Sequence, residues 1–215
     1  MKLEEINIYR MTHIKNIPHI LRHGITHKNS PNANPDYITI GDKSLINTRE
    51  AKQVSISNSC PNVKRITLGN FIPFYFGIRM PMLYVMQHGG NFVETATPPS
   101  DIIYLACRLI DIIDSENTCY FSDGHATDSY TSFFDKAKFH ELPNIINWNA
   151  ITTSYWGGTE NLNLKREKQA EFLVLNDILP KYLYKFCCYD ENTKNKLINF
   201  SIPSDKIKVV SSAYY

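Results

Sequence analysis

The chain has 215 residues, 43 % apolar and 20 % charged, and its 23 basic and 21 acidic side chains leave a net charge of +2. That size and apolar share suit one domain with a real core and exclude an intrinsically disordered chain. No run approaches the ~18 apolar residues of a membrane-crossing helix, the first residues are acidic where a secretory leader would be basic and then apolar, and so small a net charge argues against a strong duplex binder. A soluble, cytoplasmic, monomeric domain with no membrane attachment is the expectation.

Residues 6–11 predict a short strand, followed by a compact helix over 16–23 that tolerates Pro18 in its first turn and stops at Gly24. Residues 27–48 are rich in Asn, Ser, Pro, Asp and Thr without periodicity, and predict a long loop. A structureless stretch of about twenty residues in a small domain is unusual and is often a binding lid. Residues 71–76 predict a buried aromatic strand, and Pro81 opens a helix that stops at Gly89-Gly90. Strands are predicted at 102–109 and 119–122, a mixture of short helix and loop at 128–142, a helix at 144–152 and a loop at 154–162. Strands at 171–175 and 185–189, a helix at 191–199 and a closing strand at 206–211 complete the chain. Strands without regular crossover helices indicate an α+β class rather than a doubly wound sheet.

Five cysteines (Cys60, Cys107, Cys119, Cys187, Cys188) form no C-x-x-C pair, so reduced thiols are expected rather than a disulfide framework or a zinc site. His19 and His23 have helical i, i+4 spacing, but no carboxylate or cysteine follows at ligand spacing, and no metal is expected. The glycine-rich nucleotide cradles and the hydrolase nucleophile elbow are absent. The 13 Tyr and 11 Phe against 2 Trp suit either an ordinary core or a base-stacking surface.

Three constellations could carry chemistry. At Tyr9–His13 a strand is expected to end and a helix to begin, leaving unpaired backbone groups that could take up an amide or ribose. A solvated Arg10 and a turn-capping Thr12 would explain the same residues. Arg49 closes the polar loop, where it could clamp a phosphate or simply pair with its neighbour Glu50. Glu171 opens the apolar run Phe172-Leu173-Val174, where an unpaired carboxylate costs several kcal/mol or gives up its charge. It sits either at an exposed strand mouth or in a place kept for a purpose, and the charged run up to Lys168 reads as solvated surface.

Taken in order, Tyr9-Arg10-Met11-Thr12-His13-Ile14-Lys15-Asn16-Ile17, the loop ending Asn47-Thr48-Arg49, Ile72-Pro73-Phe74-Tyr75-Phe76 with Arg79 and Pro81-Met82-Leu83-Tyr84, Phe121-Ser122-Asp123 with His125, Ser154-Tyr155-Trp156, and Arg166–Val174 resemble successive blocks of the DarT family. These are the DNA ADP-ribosyltransferase toxins of DarT–DarG toxin–antitoxin systems. The resemblance runs from about Ile6 to Tyr215. It implies one domain over residues 1–215 with the split β-sheet core of ADP-ribosyltransferases, NAD+ as co-substrate, and transfer of ADP-ribose to a base of single-stranded DNA with release of nicotinamide. Thymine is the expected base; guanine, RNA or protein are the alternative acceptors, and a non-catalytic nucleic-acid-binding module is the alternative class.

Residue by residue, the resemblance makes Glu171 the catalytic glutamate and Arg49 the essential arginine. Tyr9, Arg10 and Met11 become the nicotinamide wall, about 33–51 the NAD-binding loop and about 125–171 the substrate-presenting region. Tyr75 is assigned to NAD+, with Met82, His125 and Arg166 toward the DNA. Some relatives have His where Arg10 stands, and the His-Asp-Tyr that precedes the aromatic block in several is here Gly69-Asn70-Phe71. The implied partner is the macrodomain antitoxin DarG. Glu171 is expected to stabilise positive charge on the ribose. Arg49 has no lone pair to act as a base at neutral pH, so it is expected to hold a phosphate and stabilise the deprotonated base.

Overall fold

Alternation along the strands decides the layers. The computed structural model describes residues 1–54, 66–90, 93 and 95–215; Cys60 lies outside them. In chain order they form β1 (Asn7–His13), α1 (Ile17–His23), α2 (Lys43–Ala51), β2 (Ile72–Tyr75), α3 (Pro81–His88), β3 (Ile102–Arg108), α4 (Leu109–Ile113), β4 (Cys119–Ser122) and β5 (Phe133–Phe134). Then follow α5 (Leu142–Ile145), α6 (Trp148–Thr152), α7 (Leu162–Lys168), β6 (Glu171–Val174), β7 (Lys185–Cys188), α8 (Glu191–Asn199) and β8 (Ile207–Val209). One sheet carries all eight strands in the order β5-β4-β6-β2-β1-β3-β7-β8, antiparallel except for β7 with β8. The α+β class expected from the sequence is what forms.

β3 is covered on both faces. Ile103, Leu105 and Cys107 enter the main core with Ile8, Phe74 and Phe172, while Ile102 and Tyr104 enter a second core with Met11, Leu83 and Met86. This explains why its sequence is a continuous apolar run rather than an alternating one.

The sheet opens in its middle. β1 pairs with β3 along its whole length, from Asn7↔Arg108 to His13↔Ile102, but meets β2 only at Tyr9↔Tyr75. β2 itself stays joined to β6 from Ile72↔Val174 to Tyr75↔Glu171. Pro73 has no N–H to offer a neighbour. Beyond Tyr9, therefore, β1 and β2 diverge and leave a cleft whose walls are strand edges.

Several sequence expectations are corrected here. β1 continues through His13 instead of ending at Met11, so the unpaired edge there faces the cleft and is not a strand end. The long loop ends at Asp42, whose carboxylate accepts from the Ser44 and Leu45 amides at 2.8 and 3.2 Å and starts α2. Arg49 accordingly stands in a helix and not on a lid. The helix expected over 144–152 is two, broken at Ile146, with Asn147 capping α6 by accepting from the Ala150 amide. Part of the expected 154–162 loop and the charged run after it fold as α7, and Lys168 at its end is buried. α4 and β5 were not anticipated.

Gly24 ends α1 at φ 82°, and a Cβ there would lie 1.9 Å from the Ile178 carbonyl oxygen, in the bridge that joins Ile25 to Ile178. Gly24→Ala should therefore cost about 2–3 kcal/mol through a forbidden conformation and a backbone collision. At about 2–4 °C per kcal/mol, Tm should fall by roughly 4–12 °C. Calorimetric unfolding of the variant checks this, and an unchanged Tm would refute it.

Candidate active site

Glu171 is fully buried at the first position of β6. Phe172 and Val174 enter the main core, so strand alternation turns Glu171 to the opposite face, next to Tyr75. Its Oε1 accepts from the Ala126 amide at 3.1 Å and from Arg49 Nη1 at 3.1 Å. Nη1 also stands 2.9 Å from Oε2. Ser122 fixes this geometry: its Oγ accepts from the Glu171 amide at 3.1 Å and donates to the Gly124 carbonyl at 2.7 Å, tying β6 to the turn that presents the Ala126 amide.

Arg49 reaches Glu171 from the last turn of α2, where a cation suits the helix dipole. Among the described residues, neither Arg49 Nη2 nor Glu171 Oε2 has a hydrogen-bond partner, although both atoms are buried. Buried polar atoms are almost always satisfied. The pair thus keeps one donor and one acceptor available for a polar ligand.

A cavity of about 310 Å³ lies on the Arg49 side of this pair, in the cleft where β1 leaves β2, and residues of the 26–42 segment and α2 line its outer wall. Arg10, Met11, Arg49, Tyr75, Met82 and His125 line it, so six of the sequence-predicted residues converge. Arg10 bridges the opening, its Nη1 donating to the Pro73 carbonyl at 3.0 Å. Burial, reinforced by the Glu171 charge, pushes the Tyr75 phenol far above its usual range and keeps it a donor. Burial lowers the His125 pKa below its ordinary value against the opposing pull of Glu171, so the ring is neutral at pH 7. Thr127 Oγ1 sits 2.7 Å from its Nδ1.

Two predicted residues are placed elsewhere. The Tyr9 ring packs edge-on against Tyr104 at 6.4 Å and does not line this cavity. Arg166 donates to Asp123 Oδ1 at 3.2 Å and Thr131 Oγ1 at 3.3 Å, while its carbonyl accepts from the His125 amide at 2.9 Å. It braces the turn that carries His125 and Ala126.

Other residues of the site escaped the sequence reading. The Asn16 amide group both donates to the Ile38 carbonyl and accepts from the Ile38 amide, each at 2.9 Å. Asp177 accepts from the His27 amide at 2.7 Å, and His27 Nε2 donates to the Gly69 carbonyl at 2.7 Å. These contacts pin the 26–42 segment over the cleft. Asp42 with Ser44 is a helix-start signal that would have located α2. Asn70 accepts from the Thr67 amide and hydroxyl, both at 3.0 Å. Among the described residues no three His, Cys, Asp or Glu side chains gather as a metal ion needs, and no helix is long and apolar enough to cross a membrane.

A sheet that splits between its two central strands, with a buried glutamate and an arginine at the split, places the chain in the class of ADP-ribosyltransferases; a solved DarT of Thermus sp. 2.9, in complex with ADP-ribosylated single-stranded DNA, superposes with a TM-score of 0.83 at 26 % identity, covering 99 % of this chain and 97 % of that one. The model of the family described as "ssDNA thymidine ADP-ribosyltransferase, DarT" matches residues 9–215, and the chain belongs to that family. A DNA ADP-ribosyl transferase of Thermus sp. (strain 2.9) is 32 % identical over 173 residues, 80 % of this chain and 75 % of the relative. A DNA ADP-ribosyl transferase–DNA ADP-ribosyl glycohydrolase fusion protein of Thermosipho africanus is 27 % identical over 201 residues, 91 % of this chain and 47 % of the fusion.

Proposed function

We propose that this chain transfers ADP-ribose from NAD+ to thymine in single-stranded DNA and releases nicotinamide. The observation that carries the reading is the buried Arg49–Glu171 pair at the split of the sheet, with one donor and one acceptor left over beside a cavity of about 310 Å³. NAD+ suits that site: the cleft offers strand-edge backbone at Arg10 and Met11 for an amide, Glu171 Oε2 for a hydroxyl, and Arg49 Nη2 for an anion.

NAD+ supplies a glycosidic bond whose leaving group takes the electron pair as neutral nicotinamide, while positive charge builds on the ribose. Glu171, held in place by Ala126, Ser122 and Arg49, stabilises that charge from a dry site that needs no reorganisation. The imide nitrogen of thymine gives its proton to water and its lone pair to the ribose carbon. Arg49 favours the deprotonated base by its charge and stays protonated throughout. Neutral His125 and protonated Tyr75 offer hydrogen-bonding groups that place the two reactants.

The fused Thermosipho relative joins a transferase to the glycohydrolase that would undo its product, which supports a toxin role here with a macrodomain antitoxin of the DarG type as partner. Incubating the protein with NAD+ and, separately, single-stranded DNA, duplex DNA, RNA or protein tests the reading through adduct mass and free nicotinamide. A thymine adduct on single-stranded DNA is expected. A guanine, RNA or protein adduct would correct the acceptor, and no nicotinamide release with any of them would leave a binding module instead.

A further inference from the structure

A second cavity, of about 510 Å³, lies on the other side of the Tyr9–Tyr75–Glu171 row, where the chain leaves β2 through Phe76–Arg79 and passes the end of α6. Two cationic side chains line it. Lys168 is 1 % exposed, and its ammonium donates to the Ile151 and Thr153 carbonyls at 2.9 and 2.7 Å, which leaves its third proton without a partner among the described residues. Arg79 is the other, and its Nε is buried with no partner among the described residues. Neither cation is ion-paired to a described carboxylate. The one acid on the lining is exposed Glu5, which accepts from the Lys2 amide. Burial, with the Arg79 charge adding to it, pushes the Lys168 pKa down to about 8, as two unneutralised cations sharing a space require.

Arg79 also stands at φ 53°, a conformation natural to glycine and costly for a branched-out side chain. Its backbone is held there from both sides: the Arg79 amide donates to Tyr104 Oη at 3.1 Å, and Tyr215 Oη donates to the Arg79 carbonyl at 2.7 Å. The guanidinium lies over the Tyr215 ring, 4.5 Å from its centroid. Trp156 Nε1 donates to the same Tyr215 hydroxyl at 2.7 Å, and Lys165 lies over the Trp156 ring. Strain at a non-glycine residue, a buried lysine and a half-buried arginine without acids, and adjoining aromatic rings form a combination suited to a nucleic-acid strand.

We propose that the Arg79–Lys168 cavity binds one backbone phosphate of the single-stranded DNA substrate, next to the nucleotide that is modified. The assignment rests on the function proposed above. The 310 Å³ cavity takes NAD+ and the reacting base on one side of the Tyr9–Tyr75–Glu171 row. Lys168, three residues before Glu171, and the 151–154 segment then meet the strand on the other side. The phosphate takes the free Nε of Arg79 and the third proton of Lys168.

The test compares wild type, Arg79→Gly and Arg79→Lys on a thymine-containing oligonucleotide, and on the same oligonucleotide with neutral methylphosphonates placed singly at the linkages flanking the target. Arg79→Gly suits the backbone, so its thermal unfolding should stay cooperative and its Tm should not fall. Its affinity for the oligonucleotide should drop about tenfold, and the slope of log affinity against log salt should lessen by about 0.7, the signature of one lost single-strand phosphate contact. Arg79→Lys should keep the slope and recover part of the affinity. One methylphosphonate should weaken wild type at least as much, and should weaken Arg79→Gly less than wild type because only Lys168 is left to meet that linkage. Equal affinity and slope for wild type and Arg79→Gly, or a weaker affinity with an unchanged slope, would overturn the assignment. Saturating inorganic phosphate that competes with NAD+ but not with the oligonucleotide would overturn it too. A wild-type protein that modifies DNA while failing these tests removes this inference alone, whereas one that modifies no DNA removes the function on which it rests.

Discussion

Glu171→Gln is expected to lower kcat for transfer about a thousandfold while NAD+ affinity changes by no more than a few-fold. The substitution keeps the shape of the side chain, and its carbonyl oxygen still accepts from the Ala126 amide and from Arg49. What it removes is the negative charge, the part that stabilises positive charge developing on the ribose. Removing one preorganised electrostatic partner costs about 2.7–4 kcal/mol in a dry site, or about 10²–10³ in rate. The full charge of Glu171 puts it at or above the upper end of that range. Glu171→Gln also leaves the Arg49 guanidinium, whose side chain is only 15 % exposed, without its counter-charge, so a modest loss of Tm should accompany the loss of activity. Single-turnover transfer and NAD+ titration of a variant with cooperative unfolding measure both quantities. Transfer above a tenth of the wild-type rate would remove Glu171 from the catalytic role.

Glu171 was legible in the sequence because a carboxylate opening an apolar strand breaks a local rule, and such breaks are where function concentrates. The sequence could not tell an exposed strand mouth from a buried site, since that depends on β4 and the Ser122–Ala126 turn packing beside β6. Arg49 was legible only through the family resemblance. Its partner stands 122 residues away, and α2 buries none of its residues, so no hydrophobic period marks the helix that aims it. Pro73 inside an aromatic strand was a signal for the split of the sheet that the sequence reading passed over, a missing donor in a central position. Lys168 was misread because its neighbours Arg166 and Glu167 give a charged composition. Its own burial depends on two carbonyls at the end of α6, which composition does not encode. Tyr9 was grouped with Met11 by the resemblance, yet its ring is taken up by Tyr104.

Substitution of Arg49 separates charge from geometry. Arg49→Ala strands a fully buried carboxylate with only the Ala126 amide to hold it, and breaking a buried pair from one side costs about 3–5 kcal/mol. With Arg49 itself partly exposed, the lower end applies, and Tm should fall by about 6–12 °C at about 2–4 °C per kcal/mol. Arg49→Lys restores a cation opposite Glu171 and should recover most of that stability. It lacks the second nitrogen that Arg49 leaves unbonded, so transfer should stay about a hundredfold below wild type. The double variant Arg49→Ala/Glu171→Gln should lose less stability than the sum of the two single changes, because no buried charge is then left alone. Thermal unfolding of wild type and the four variants, with their transfer rates, decides the matter: near-wild-type transfer by Arg49→Lys would make Arg49 a counter-ion and nothing more, and strict additivity in the cycle would deny the pair.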